Sequence, residues 1–299
     1  MLTDNARGSL MMMGAMAAFV LNDTLMKLVA TELPLFQALF LRGLFTTLLF
    51  FIIARRLGAL RHTLDRRDRL LIVLRVLAEG GSAYFFLTAL FNMPLANVTA
   101  ILQALPLTIT LAGALFLREP VGWRRLLAIL VGFVGVLLIV RPDAEGFDHY
   151  AIMALLAVVC VTLRDLVTRR MSRSVPSMTV ALATAGGVTV FAFVGTLSEG
   201  WVMPTAGVRL ALLGAGLLVT AGYLLSITAM RAGELGVVSP FRYTGLVWAL
   251  VLGYTVFGDW PDGVTLAGAG LIVATGLFTF YREHRQSRRA RAAQSSLPR

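Results

Sequence analysis

Eight ionisable residues fall inside long apolar stretches of this chain: Asp23, Lys27, Arg42, Arg75, Glu79, Arg164, Asp165 and Arg242. A charge at the centre of a membrane helix costs about 2.5 to 3.5 kcal/mol on insertion scales, so it faces a cavity or a partner. Asp23 and Lys27 are four residues apart on one helical face and can pair, as can Arg75 and Glu79. Acids and guanidinium groups held this way can close a gate or bind a charged solute. The competing assignment is structural. Arg75, Arg164 and Lys27 are long enough to reach an interface from near a span end, and a helix pair of charges can simply staple the fold.

Other groups that could line a path are Tyr84, Gln103, Tyr243 and Trp248, together with Glu79 and Arg242. A ring beside a guanidinium could accept a substrate bearing a ring and a carboxylate. For Trp248 and Tyr223 the alternative is packing or interfacial anchoring. Phe85, Phe86 and Phe91 read as lipid or core contacts, and Cys160 as a small buried residue.

The elements that must position these groups are membrane helices. The chain is 299 residues long, 58% hydrophobic and only 14% charged, against about 25% charged in soluble domains. Apolar runs of about 20 residues suit helices crossing a bilayer, and no period-two alternation points to a barrel. Ten spans are expected, near 9–29, 34–54, 70–91, 95–116, 123–140, 150–168, 176–197, 206–229, 236–257 and 263–281. The first segment lacks a basic cluster and cleavage site and is expected to be retained.

Basic residues give an orientation. Of the 27 Lys and Arg, 20 lie in segments on one side of this layout, two (Arg141 and Arg209) on the other, and five within spans. By the positive-inside rule the basic side is cytoplasmic, and both termini lie there. The net charge of +11 follows from that topology, so no nucleic-acid partner is needed. The segment from 282 to 299 reads as a basic, disordered cytoplasmic tail that touches anionic lipid.

Five spans per half is an odd number, so the second half enters the membrane from the opposite side. The chain is therefore read as an all-α polytopic membrane protein of two inverted five-helix repeats. The first occupies 1–140 and the second 141–281, with a substrate path between them. Asp165 follows Asp23 by 142 residues, and Arg169 stands in the same relation to Lys27. Inversion would set one charge cluster (Asp23, Lys27, Arg42) toward the outer side. The other (Arg75, Glu79, Arg164, Asp165, Arg242) lies toward the inner side or the middle.

The halves also share motifs. Leu117-Arg118-Glu119-Pro120 opens the last helix of one half and Gly258-Asp259-Trp260-Pro261 that of the other. Glycines follow both: Gly132 and Gly135, then Gly268, Gly270 and Gly276. Residues 89–96 match 229–236 in placement. On these features the whole chain resembles the EamA-domain family of the drug/metabolite transporter superfamily. It departs from that family at Ala128, where glycine is usual, and at Pro106, which has no proline counterpart at Leu246. The resemblance implies a small-metabolite transporter of the bacterial inner membrane. Family members are commonly exporters of amino acids or metabolites, and one exports aromatic amino acids.

The three histidines, His62, His149 and His284, fall in expected loops. No metal spacing, nucleotide-binding loop or nucleophile motif is visible. The expectation is thus no cofactor, no metal site and no enzyme. The partners are a small-molecule substrate and membrane lipid, and a single copy is compatible with the layout. The alternatives are a membrane-embedded enzyme acting on lipid, or a channel.

Overall fold

A computed structural model describes residues 3–59, 64–117, 122–141, 149–172 and 174–295. Side chains are described for all of these but 235, 236 and 283–295. His62 and the Arg118-Glu119-Pro120 part of the shared motif lie outside the described residues.

Every regular element among them is helical. In order they are α1 Asp4–Val29, α2 Leu35–Arg56, α3 Arg66–Asn92, α4 Leu95–Leu102, α5 Leu105–Leu117, α6 Trp123–Val140 and α7 His149–Arg169. There follow α8 Ser177–Thr196, α9 Ala206–Ala232, α10 Leu235–Val238, a 3-10 turn Ser239–Tyr243, α11 Thr244–Phe257 and α12 Gly263–Ser295. Nine stretches of the described residues are long and apolar enough to cross a bilayer, with Leu95–Leu117 counted as one. Their outward faces carry exposed Leu, Val and Phe, among them Leu115, Phe116 and Val190, as a lipid-facing surface requires. The protein is a multi-pass membrane protein.

The segment expected to cross at 236–257 is not one helix. Pro240 lacks a backbone N–H, so the chain tightens into the 3-10 turn before α11 begins. The 14 residues of α11 rise only about 21 Å, short of the roughly 30 Å hydrocarbon core. The equivalent stretch of the first half is broken too. Pro106 removes one helical bond and crowds the carbonyl four residues back, which is Leu102, the last residue of α4. The missing proline at Leu246 is thus replaced in effect by one at Pro240.

The helices pair across the halves. α1 packs along α9, α3 along α7, α2 along α8 and α6 along α12. The first two pairings exchange under the repeat, and the last two join an element to its own counterpart. The partners run antiparallel. Phe36 meets Gly195 while Thr47 meets Thr189 and, further along, Thr179 donates to the Ala59 carbonyl. The Thr47 and Thr189 hydroxyls are 3.0 Å apart and 142 residues apart in sequence, so a residue touches its own repeat counterpart on the pseudo-two-fold axis. Between α6 and α12 the closest approach is at Gly135 and Gly268. A Cβ on Gly135 would lie 2.7 Å from the Gly268 carbonyl oxygen, and one on Gly268 would lie 2.6 Å from that of Gly135. Only glycine lets two membrane helices touch backbone to backbone in this way.

One end of the bundle gathers the start of α1, the α2–α3 junction, the α7–α8 junction and the end of α9. Glu234 N donates to Asn5, Arg67 to the Arg170 carbonyl, and Arg170 to the Phe116 carbonyl there. This end carries Arg55, Arg56, Arg66, Arg67, Arg69, Arg124, Arg125, Arg169, Arg170 and Arg231. The opposite end carries Arg141 and Arg209. The backbone of α12 runs past its apolar part, through the first basic residues, to Ser295. Alanine, arginine and glutamine there are good helix formers.

Candidate functional site

A cavity of about 1180 Å³ lies between the halves, bounded by α1, α3, α4, α5, α7 and the broken stretch before α11. α3 contributes Glu79, Ser82, Ala83, Phe86 and Leu87, which is one face at helical spacing. α1 contributes Met16, Phe19, Val20 and Asp23 at the same spacing, with Asn22 at the edge. The lining runs from Asp23, Arg42 and Leu87 to Arg125, Arg169 and Glu234 at the basic end.

The other end is closed by hydrogen bonds. The Lys27 ammonium donates to the carbonyls of Leu90 at 2.8 Å and Met93 at 2.6 Å, where α3 ends. It stands 5.6 Å from the centroid of Phe257, and Asp259 attracts it. Gln37 pairs with the backbone of Val202 through both its amide groups. Glu199 accepts from the Phe36 N–H at 3.0 Å, and Thr205 donates to Glu32 at 2.9 Å. The cavity therefore opens toward the basic end.

Two polar clusters face each other inside it. Arg164 Nη1 donates to both Glu79 oxygens at 3.1 and 3.2 Å, and its Nε donates to Asp165 Oδ1 at 2.8 Å. Asn22 Nδ2 donates to Asp23 Oδ1 at 2.9 Å, and Arg42 Nη1 donates to Asn22 Oδ1 at 3.2 Å. Asn22-Asp23 and Arg164-Asp165 are repeat counterparts. In each, a side chain donates to the carboxylate one residue on and then engages a third group from another helix. The sign of that third group is reversed. Asn22 accepts from a cation, whereas Arg164 donates to an acid.

The expected pairs within helices do not form. Lys27 turns to backbone carbonyls instead of Asp23. Arg75 bonds Thr184 Oγ1 at 3.2 Å and also Thr168, and Arg164 takes Glu79. The reason is reach: four-residue spacing permits a pair along one helix, but an antiparallel neighbour offers a donor with two acidic partners. Arg75 is 8% exposed, packed between α3, α7 and α8 outside the cavity. Asp23, Arg42, Glu79, Arg164, Asp165 and Arg242 line one cavity.

Gln103 also lines it, at the break between α4 and α5. Tyr243 is 6% exposed and sits behind the lining, its hydroxyl against Gly276 and its ring near Phe280. Tyr84 lies outside the cavity and stacks on Phe36 with centroids 5.5 Å apart. Trp248 is outside it too, on the exterior of α11 at 37% exposure. Tyr223 packs edge-on to Phe50. Sequence reasoning missed Asn22, the neighbour of Asp23, and Phe86, which is seven residues past Glu79 and so on its face. Among the described residues no group of His, Cys, Asp and Glu could hold a metal ion.

Two EamA-like transporter family repeats match the chain, over residues 6–141 and 149–281. The chain belongs to the EamA-like transporter family. That makes it a member of the drug/metabolite transporter superfamily and a small-molecule transporter by family. An S-adenosylmethionine uptake transporter of Rickettsia conorii is 26% identical, over 91% of this chain and 92% of that protein. A riboflavin transporter of Vibrio cholerae is 29% identical, over 73% of this chain and 74% of its own length. The pseudopaline exporter CntI of Pseudomonas aeruginosa is 27% identical, over 89% of this chain and 93% of that protein. A crystal structure 20% identical in sequence superposes with a TM-score of 0.65, covering 93% of this chain and 98% of its own. It shares the fold of this EamA-like protein.

Proposed function

We propose that this EamA-like protein carries a small zwitterionic metabolite, an amino acid or an amino-acid-bearing compound, out of the bacterial cytoplasm by alternating access. One observation supports this most: a cavity holding acids and guanidinium groups sits where the broken helices of both repeats meet. Broken helices at a repeat interface are where membrane carriers bind solute. Acids suit an ammonium group and guanidiniums a carboxylate. Phe19, Phe86 and Phe280 add apolar rings to the same lining, so an aromatic side chain would fit. The relatives' named substrates include S-adenosylmethionine, which bears an amino-acid end.

The basic end is the cytoplasmic end by the positive-inside rule. The termini then lie inside, the broken stretch 235–257 makes the ninth of ten crossings, and the cavity loads from the cytoplasm of the inner membrane. Residues 1–140 and 141–281 are the two repeats. Lys27 holds the outer side shut, with Asp23 and Arg42 beneath it. Glu79, Arg164 and Asp165 rearrange when the cavity opens the other way, with Arg75 holding α3 to α7 and α8. No nucleotide-binding motif is present in the sequence, so a solute gradient or exchange drives the cycle.

The test is counterflow in proteoliposomes loaded with unlabelled amino acids or S-adenosylmethionine, with the labelled compound outside. Saturable counterflow of at least one compound is expected. Flux that never saturates would indicate a channel, and chemical conversion of the label would indicate an enzyme. Either outcome, or no counterflow with any compound, removes the proposal.

A further inference from the structure

Among the described residues, Arg242 is the cavity guanidinium without a partner. Arg42 bonds Asn22, Arg164 bonds Glu79 and Asp165, Arg125 bonds Thr110 at 2.9 Å, and Arg169 is engaged as well. The Arg242 guanidinium makes no hydrogen bond or ion pair with any described residue, yet it lines the cavity. The acid whose charge reaches it is Asp165, whose carboxylate is already held by Arg164. Its place in the chain adds to this. It sits in the 3-10 turn before α11, a short stretch where the backbone of the second half is not α-helical inside the bundle. Packing against neighbours fixes that turn, since Tyr243 beside it is buried. The guanidinium is therefore presented on a fixed backbone to an open space.

The Arg242 side chain is exposed to the cavity space, and a guanidinium keeps its proton at any working pH. A solute that enters the cavity therefore meets a permanent charge whose donors can turn to it. The planar fork matches a carboxylate through two parallel bonds. The repeat supplies the other half of the site. The counterpart of Arg242 across the pseudo-two-fold is Leu102, on the evidence that Gln103 and Tyr243, 140 residues apart, meet there. Leu102 also lines the cavity, near Phe86, Leu105 and Ile109. The two broken helices thus offer a cation on one side of the axis and apolar surface on the other.

We infer that Arg242 anchors the carboxylate of the transported solute, and that Leu102 with Phe86 receives its apolar part. This deepens the proposed carrier function and rests on it. The site then selects a carboxylate-bearing compound over the same compound without that group, and it sets which way round the solute lies.

Paired ligands test this without transport. Purified full-length protein in detergent is melted with phenylalanine or phenethylamine, and with S-adenosylmethionine or its decarboxylated form. A ligand that binds the folded state raises the melting temperature. The carboxylate member of at least one pair should act at a concentration lower by about tenfold or more, as expected for bonds to a charged group. Arg242→Gln should abolish that difference while leaving the unliganded melting temperature near that of the wild type. Arg242→Lys, with charge but no fork, should restore part of it. The inference is overturned if the wild type shows no preference in either pair, or if Arg242→Gln keeps the wild-type preference. Counterflow read beside melting separates the two claims. Counterflow with an unaltered preference in Arg242→Gln removes the anchor and leaves the carrier. A wild type that carries nothing removes the carrier itself.

Discussion

The Gln103 side-chain amide donates to the Tyr243 carbonyl at 3.4 Å, joining two residues 140 apart at the breaks of two repeat-related helices. The Tyr243 carbonyl stands at the N-cap of α11, where it accepts the first helical bond, and the Gln103 amide adds a second bond from the other repeat. At 3.4 Å the bond is long, so its loss should cost about 1 kcal/mol rather than more. Gln103→Leu should therefore lower stability modestly in a denaturant titration in mixed micelles. Gln103→Asn, one methylene too short to reach, should match it. Full stability in Gln103→Leu would show that the contact does not hold the halves together.

The Arg164 cluster predicts an inequality. Arg164 serves two acids, while Glu79 has one cation. Arg164→Gln leaves two carboxylates uncompensated in a partly buried site, at a cost of about 2 to 4 kcal/mol. Glu79→Gln leaves Arg164 with Asp165 and should cost about 1 kcal/mol. The double substitution should be more stable than Arg164→Gln alone, because one orphaned charge is gone. Thermal melting of the three variants reads this directly. Additive losses would mean that the groups are independently solvated by cavity water.

The all-helical, two-repeat, multi-pass layout was legible because hydropathy acts on whole segments. Site residues were legible only in part. Glu79, Gln103 and Arg242 stood out as polar groups in apolar runs, and they line the cavity. Tyr84 was chosen for its chemistry, but five residues past Glu79 is about 140° around the helix, and it faces α2. Phe86, on the correct face, carries no polar atom to draw notice. The charge pairs were misread because spacing along one helix is visible in sequence, whereas the antiparallel neighbour that supplies Arg164 is not. The glycines after the acid and proline motif marked the last helix of each half. That Gly135 and Gly268 meet each other is a matter of crossing geometry.

A pH prediction comes from the end opposite the basic one. Arg141 donates to Asp262, and the Thr265 N–H caps the same carboxylate at 2.8 Å at the start of α12. The Arg141 bond first, then the Thr265 cap, hold the Asp262 carboxyl well below the usual carboxylate range. A lowered value means that the stabilisation is present above the ordinary carboxylate pKa of about 4 and is lost only as pH falls through the folded-state value. The melting difference between the wild type and Asp262→Asn should hence be flat from about pH 8 to 5 and shrink only in stronger acid. The pair is exposed, so the difference is small and salt weakens it. A difference that vanishes between pH 7 and 5 would rule out this origin.

Lys27 predicts the sidedness of the cavity. Its ammonium bridges α1 to the last carbonyls of α3, beside Phe257 and Asp259 near the end of α11. Three elements thus converge on one side chain at the closed end. Lys27→Met keeps most of the apolar stem and removes the donor, so the closed end should open more often. Ala83→Cys, in the cavity wall, reports this in a Cys160→Ala background. An impermeant thiol reagent applied from outside whole cells should label the Lys27→Met version about tenfold faster, the response to a shift of about 1.4 kcal/mol between the two states. Labelling from the cytoplasmic side of inverted vesicles should change little, because the outward-facing form rises from a minor population and the inward-facing form stays the majority. Faster labelling from both sides would instead mean that Lys27 stabilises the bundle without choosing a side. Unchanged labelling from outside would place the closure on Gln37 and Glu199.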